Sequence, residues 1–351
     1  MSTAAVHQLL PTFNPRDAVG NNTLELARLL REMGYESRIF ATHIHPELSR
    51  HASPVDQMPD DEAWLIYHHS IGGAAGDAFE QRAGRRILVY HNITPLELVE
   101  RWAPEIGAEI LLGRDQTHRY ASLTDVAVAD SDYNRSELEA LGYRRTTTIP
   151  VMFEPGRLEH DSRHKKGNGT RLLFVGRLAP NKAQHELVAA LLFLRQTSDP
   201  AATLHLVGSR TFGSYADALY SYIDDLGLDE AVFVHESVTD AELAEHYAAA
   251  DVFVCVSDHE GFCVPVIEAM HHGVPVIAYD SSAVGGTVGT GGLVLSSKSP
   301  DHVAAAVSRA VDDDELRSQM ITAGKRRAAD FELSKSRDAW SHLIKSLDPG
   351  S

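Results

Sequence analysis

The chain has 351 residues, a length that suits two domains of roughly 100–200 residues each better than one outsized core. Its 32 Lys and Arg stand against 49 Asp and Glu, a net charge of −17 that repels extended polyanions and excludes broad nucleic-acid binding. With 43% hydrophobic and 23% charged residues the composition is that of a folded globular protein with a large core.

In chain order, short β-branched runs alternate with amphipathic helical stretches, the pattern of α/β architecture with parallel sheets. The first half predicts strands at Val6–Leu10, Ser37–Phe40, Ala63–Tyr67, Arg86–Tyr90, Val126–Ala129 and Thr147–Ile149. Between the first two, Leu24, Ala27 and Leu30 predict a helix over Thr23–Met33, with Asn21 and Asn22 as caps and Gly34 as the stop. Residues 154–170, rich in Gly, Lys and His and without apolar periodicity, read as a connector. The second half predicts strands at Leu172–Val175, Thr203–Val207, Val232–Val234, Val252–Cys255, Pro275–Ala278 and Leu293–Leu295. Its helices fall at about Lys182–Arg195, Tyr215–Leu226, Ala241–Ala249, Val266–His272 and Pro300–Val311, with two more behind them. Each half reads as its own doubly wound, Rossmann-like sheet, which binds ligands at the carboxyl ends of its strands, here on a cleft between the halves.

Cys255 and Cys263 are the only cysteines, so a disulfide framework is excluded. The opening residues lack a basic stretch and an apolar run of signal length, and no run reaches the roughly 18 apolar residues of a membrane span. These features predict a cytoplasmic chain.

The densest chemistry lies at Ser257-Asp258-His259-Glu260-Gly261-Phe262-Cys263-Val264-Pro265-Val266-Ile267-Glu268-Ala269-Met270. It follows an apolar strand and opens a helix with Pro265 in the first turn. Glu260 falls on the loop and Glu268 about one turn into the helix, so both carboxylates can face one pocket. The amides around Phe262, Cys263 and Val264 sit at the positive helix end, which favours anionic or hydroxyl-rich ligands. Taken singly, the two Glu read equally as a loop charge and a charge complementing the helix dipole.

The spacing of Glu260 and Glu268, with Gly, Phe, Pro and Ala-Met in fixed places, resembles the signature of the retaining glycosyltransferases of family 4, also called group 1 glycosyltransferases. That family has the two-domain GT-B fold. A second stretch, Arg171-Leu172-Leu173-Phe174-Val175-Gly176-Arg177-Leu178-Ala179-Pro180-Asn181-Lys182, supports the resemblance. A strand ends there in Gly176, and two cations follow near a helix start, where the dipole disfavours them unless they meet an anion. The resemblance implies that Arg177 and Lys182 contact a nucleotide diphosphate, Glu268 the ribose and Glu260 the donor sugar.

The segment Pro11 to Asn22 matches the family's first loop near the donor phosphates but keeps one glycine, Gly20, of the usual two. In Val89-Tyr90-His91-Asn92, His91 matches the family's histidine that hydrogen-bonds the donor sugar. Phe233-Val234-His235-Glu236-Ser237-Val238 resembles the segment that contacts the nucleobase, with His235 where glycine is common. Gly285 to Gly292 matches a glycine-rich turn and reads either as a donor loop or as a connector. Asp130-Ser131-Asp132 reads as a helix cap rather than a metal-binding pair, and His43/His45, His68/His69 and His271/His272 read as surface or packing residues. No metal or other cofactor is then required.

The resemblance covers nearly the whole chain. It implies an acceptor-binding domain of residues 1–153 plus about 336–351, the last helix crossing back, and a donor-binding domain of residues 154–335. The implied reaction moves a hexose from a GDP- or UDP-linked donor to an acceptor hydroxyl with retention, in glycan or glycolipid synthesis. A sugar phosphorylase or epimerase of the same fold, and an inactive nucleotide-sugar-binding scaffold, are the rival readings. Gly-x-Gly-x-x-Gly is missing after the first strand, which disfavours a dehydrogenase. Arg82, Arg85, Arg86, Arg114 and Arg119 offer a basic patch for weak contact with a membrane surface carrying a lipid-linked acceptor. A solvated face fits them better, because residues 1–150 hold 14 Arg and no Lys against 21 acidic residues.

Overall fold

The computed structural model describes residues 4–15, 17–61, 63–152, 154 and 168–347. Most of the expected connector, residues 155–167, lies outside them. The chain divides into two compact units: residues 1–96, 105–153 and 332–351 form the first, residues 97–104 and 154–331 the second.

In the first unit, strands β1 (Val6–Phe13), β2 (Ile39–Ile44), β3 (Ser53–Pro54), β4 (Trp64–His69), β5 (Arg86–Tyr90), β6 (Val126–Ala129) and β7 (Thr146–Thr148) form a parallel sheet in the order β3-β2-β1-β4-β5-β6-β7. The chain reverses direction across the sheet between β1 and β4, the switch point of a doubly wound fold. Helices α1 (Ala18–Glu32), α2 (Ala74–Gln81), α4 (Gly107–Tyr120) and α5 (Asp132–Ala140) follow strands β1, β4, β5 and β6, while short α3 (Leu96–Val99), also after β5, belongs from Glu97 on to the second unit. The central strands β1, β4, β5 and β6 are buried on both faces, which their apolar runs require.

Two expectations at the start of the chain are corrected. Strand β1 runs on to Phe13, so the loop before α1 is far shorter than the sequence suggested. The helix starts at Ala18 with Asp17 as its cap, the carboxylate accepting from the Gly20 amide at 3.2 Å. Asn21 and Asn22 lie inside the helix, and buried Asn22 accepts from the Met152 amide at 2.9 Å, a tertiary tie that outweighs its capping preference. Gly34, at φ +92°, ends the helix as expected. Ser131 caps α5, accepting from the Asn134 amide at 3.2 Å.

The final helix, Leu333–Leu347, packs into the first unit. Trp340, Ile344 and Leu347 join Leu26, Leu30 and Val128 in one apolar cluster, and Arg337 pairs with Glu25 and Glu32 of α1. Burying such side chains stabilises by about 1.5–3 kcal/mol each, which anchors this helix far from its neighbours in sequence.

In the second unit, β8 (Arg171–Val175), β9 (Thr203–Val207), β10 (Val232–His235), β11 (Val252–Cys255), β12 (Val276–Tyr279) and β13 (Leu293–Leu295) form a parallel sheet in the order β10-β9-β8-β11-β12-β13. Its helices are α6 (Gln184–Thr197), α7 (Gly213–Asp225), α8 (Asp240–Ala249), α9 (Val264–His271), α10 (Val284–Val288), α11 (Pro300–Asp312) and α12 (Asp314–Ala329), and the final helix is α13. Residues 97–104 join this unit through Trp102, which meets Tyr215 edge to face at 5.3 Å. Of the glycine-rich turn expected from Gly285 to Gly292, the first half lies in helix α10 and only the second half is turn; Arg327 donates to the carbonyls of Gly286 and Thr287 and holds the helix in place. Among the described residues no helix is long and apolar enough to cross a membrane.

Candidate active site

The switch point of the second sheet lies between β8 and β11, so the loops after these two strands emerge side by side. After β8 the chain passes Gly176 and exposed Arg177, makes a 3₁₀ turn over Pro180–Lys182 and enters α6 through Ala183 at φ +53°. After β11 it carries Ser257 to Cys263 and enters α9. The two loops meet where Lys182 Nζ lies 2.6 Å from Glu260 Oε2. The Asn181 amide nitrogen donates to the His259 carbonyl at 3.1 Å, and the Asp258 amide donates to the Asn181 carbonyl at 2.8 Å. Glu260 Oε1 accepts from the Ser257 hydroxyl at 2.9 Å, and its own amide donates to Ser282 Oγ at 2.8 Å. Both carboxylate oxygens and the backbone of Glu260 are thus fixed before any ligand arrives.

Helix α9 starts at Val264, with Cys263 as its cap at φ +77° and Pro265 in the first turn. Glu268 lies one turn in, 3% exposed, and its Oε2 accepts from the Tyr247 hydroxyl of α8 at 2.8 Å. Phe262 is buried edge-on against Phe331 at 5.3 Å, and its carbonyl accepts from Thr287 at 2.6 Å. Gly261 completes the loop. Lys182, Glu260, Gly261, Phe262, Cys263, Val264 and Glu268 therefore belong to one loop-and-helix assembly, as the sequence placed them.

Gly176 and Gly208 stand at the ends of β8 and β9 with φ of +159° and +154°. A Cβ on Gly208 would lie 2.1 Å from the Gly176 carbonyl oxygen, so this close approach of two backbones admits no side chain. Sequence reasoning singled out Gly176 and missed Gly208, whose only signal was a glycine directly after a strand.

His235 and Val238 lie away from that loop pair, at the end of edge strand β10 and before the Thr239 cap of α8. His235 Nε2 is 3.0 Å from His205 Nδ1, and His246 joins them. Burial, with the nearby Arg171 charge, pushes His205 down to about 3 and lowers His235, while burial and His235 push His246 down to about 4. Among the described residues, two groups have potential metal-ligating atoms within 4.8 Å of one another: His205, His235 and His246, and Cys255, Glu260 and Cys263. Each already holds a cation: Arg171 Nη2 donates to His246 Nδ1 at 3.2 Å, and Lys182 is bound to Glu260. A metal ion would compete with these for the same lone pairs.

In the first unit His91 follows β5 with its side chain 3% exposed. Its Nδ1 lies 2.6 Å from Asp130 Oδ2 and its Nε2 2.9 Å from His68 Nδ1, so both ring nitrogens are engaged within the protein. His68 Nε2 in turn contacts Gln8 Oε1 at 2.9 Å. His68 and His69 are fully buried members of hydrogen-bond networks, so of the two expected readings, surface or packing, the structure selects packing. Gly20 sits in the first turn of α1, where a Cβ would lie 2.6 Å from the Asn14 carbonyl oxygen. The arginines of the expected basic patch are committed locally. Arg82 is buried against Asp61, Arg119 pairs with Glu80 and Asp115, and Arg114 donates to the Ile93 carbonyl.

Two Rossmann-like units, each a parallel sheet with polar residues at its switch point, are the architecture of the GT-B fold. Residues 157–327 match the family described as glycosyl transferases group 1. A D-inositol 3-phosphate glycosyltransferase of Kineococcus radiotolerans is 29% identical over 84% of this chain and 72% of its own length. A GDP-mannose-dependent alpha-(1-6)-phosphatidylinositol monomannoside mannosyltransferase of Mycobacterium tuberculosis is 33% identical over 63% of this chain and 62% of its own length. The chain therefore spans just under two thirds of that mannosyltransferase. In fold it resembles the sucrose-phosphate synthase of Thermosynechococcus elongatus, with a TM-score of 0.78 over 99% of this chain and all of that one at 18% identity. It also resembles Anabaena HepE crystallised with UDP and glucose, with a TM-score of 0.74 over 98% of this chain and all of that one at 19% identity. Residues 157–327 are a group 1 glycosyltransferase domain.

Proposed function

We propose that this glycosyltransferase transfers a hexose from a GDP- or UDP-linked donor to an acceptor hydroxyl with retention, as in family 4, on a glycan or lipid-linked acceptor. The second unit holds the donor and the first the acceptor. The observation that carries the reading is the 2.6 Å contact of Lys182 with Glu260 at the second sheet's switch point, beside the amino end of α9. It sets a cation for a diphosphate next to a carboxylate for sugar hydroxyls.

In this mechanism the bond from the sugar's anomeric carbon to the leaving phosphate oxygen breaks, and the bond from that carbon to the acceptor oxygen forms on the same face. The acceptor's proton goes to the departing nucleoside diphosphate. Arg177 and Lys182 stabilise the charge that builds on that diphosphate, assisted by the Gly176 loop and the α9 amino end. Glu268 binds the ribose hydroxyls, Glu260 the hexose hydroxyls, and His91 contacts the donor sugar. His235 and Val238 lie at the nucleobase, and Gly20 at the donor phosphates. Arg177 and Lys182 take the charge-neutralising role that a metal fills elsewhere, so no metal is required. Docking of the whole enzyme at the inner face of a membrane is at most weak, since the arginines of the expected basic patch are bonded locally.

Thermal shift against GDP, UDP and their hexose conjugates identifies the donor, because a ligand at 100 times its Kd stabilises by about 2.7 kcal/mol. Turnover with a hydroxyl acceptor, followed by NMR of the product, then reads the anomeric outcome. An inverted anomer would overturn the mechanism, and lack of stabilisation by every nucleotide would overturn the donor assignment.

A further inference from the structure

We propose that Gln8 and His68 are positioning residues that keep a hydrogen on His91 Nε2, so that this nitrogen can donate a hydrogen bond but cannot take the acceptor's proton. The inference rests on the proposed role of His91 in sugar transfer.

The argument follows the direction of each hydrogen bond. The Thr23 carbonyl can only accept, and Gln8 Nε2 lies 3.1 Å from it, so the Gln8 amide points its NH₂ there. Gln8 Oε1, an acceptor, is then the atom 2.9 Å from His68 Nε2, and that nitrogen must carry hydrogen. His68 is fully buried, and burial together with neighbouring His91 pushes its pKa well below the ordinary imidazole value, so it is neutral and holds one hydrogen only. Its Nδ1 is therefore a lone pair. The partner of that lone pair, 2.9 Å away, is His91 Nε2, which must be N–H. On its other side His91 Nδ1 lies 2.6 Å from Asp130 Oδ2.

The four side chains stand on adjacent parallel strands of the first sheet or directly after them. Gln8 is on β1 and paired with Ile66; His68, two residues beyond Ile66 on β4, is paired with Val89; His91 lies two residues beyond Val89, next to Asp130 after β6. Alternation along each strand turns this diagonal onto one face. Sheet register therefore fixes the distances, and the chain from the Thr23 carbonyl fixes the hydrogens. With Nε2 protonated, His91 is excluded as general base at that nitrogen, which agrees with a mechanism in which the leaving phosphate takes the proton.

The test is NMR of the full chain labelled with ¹⁵N-histidine at pH 7.5, with His68→Asn and His91→Gln used to assign the signals. Expected are a proton-bearing His91 Nε2 and a His68 whose Nδ1 is a bare lone pair. A bare His91 Nε2, or a hydrogen on His68 Nδ1, overturns the proposal. In turnover of the nucleotide sugar that the panel identifies, His68→Phe lowers kcat about 10²-fold, the low end of losing one preorganised hydrogen-bond donor, with KM unchanged. His68→Asn, whose amide oxygen replaces the Nδ1 acceptor, recovers most of the rate; equal losses in both variants would count against the proposal. Should His68→Phe fail to fold, Gln8→Leu removes the upstream acceptor, and its His91 Nε2 signal shifts toward the bare form. If no nucleotide sugar is turned over at all, the transfer reading fails while the tautomers still decide this one.

Discussion

Lys182 Nζ and Glu260 Oε2 lie 2.6 Å apart, and the two residues come from the loops after the two strands that flank the switch point of the second sheet. Their side chains are 14% and 10% exposed, so the pair lies between a surface ion pair worth about 0–1 kcal/mol and a buried one whose half-removal costs 3–5 kcal/mol. Lys182→Met should therefore lower stability by about 1–3 kcal/mol as well as abolish turnover. The double variant Lys182→Met with Glu260→Gln should regain most of the stability in urea denaturation and remain inactive. Recovery of turnover along with stability would mean that the pair is structural only.

The Tyr247 hydroxyl, 2.8 Å from Glu268 Oε2, orients the carboxylate assigned to the ribose. Replacing Glu268 by Ala should weaken nucleoside diphosphate binding by about 1.5–3 kcal/mol, the worth of charged hydrogen bonds. At 1.4 kcal/mol per decade this is roughly 10- to 150-fold in Kd, read by calorimetry. Tyr247→Phe leaves the carboxylate in place and should weaken binding by about tenfold or less. Unchanged affinity in the Glu268 variant would remove that residue from the site.

What was legible in the sequence is what local chemistry decides. The strand runs, Gly34 as a helix stop, Ser131 as a cap and the two glutamates around Pro265 all lie within a few residues of the features that explain them. Asn21 and Asn22 misled because Asp17, an equally good cap, stood free for the role while Met152, 130 residues away in sequence, claimed Asn22. His68 with His91, and His205 with His235, meet only because their strands are neighbours in a sheet, while His246 joins from helix α8, and both meetings are tertiary facts. Two-residue β3 carries no periodicity at all, and α10 looked like a turn because Arg327, far along the chain, supplies what its glycines lack.

Gly208→Ala tests how far the phosphate loop depends on backbone packing. The new Cβ would meet the Gly176 carbonyl oxygen at 2.1 Å, and φ of +154° is strained for any L side chain. The ladder continues past the strand ends there, with the Gly176 amide donating to Val207 at 2.8 Å and the Leu178 amide to Ser209 at 2.9 Å. Relief of the clash must therefore displace Arg177 and the turn that ends in Lys182. A destabilisation of about 1–3 kcal/mol is expected, with weaker nucleoside diphosphate binding by calorimetry. If affinity holds while the melting temperature falls, the loop is positioned independently of this contact.

Acid sensitivity of the first unit should centre on His69. Burial pushes this imidazole down to about 4, a hydrogen bond to the Gly113 carbonyl opposing the shift only in part. The unfolded chain restores the ordinary value of 6.5, so between pH 6.5 and 4 the unfolded state binds the extra proton. The stability that neutral His69 contributes is complete above pH 6.5 and is lost as pH falls toward 4. At about 1.4 kcal/mol per pK unit the loss approaches roughly 3 kcal/mol. His69 Nε2 lies 3.1 Å from the Gly113 carbonyl and 2.8 Å from the Thr117 hydroxyl, contacts that a glutamine amide can keep without titrating. His69→Gln should therefore flatten the fall in unfolding free energy between pH 7 and 5, measured in urea. An undiminished slope in that variant would shift the acid sensitivity to the other fully buried imidazole of the first unit, His68.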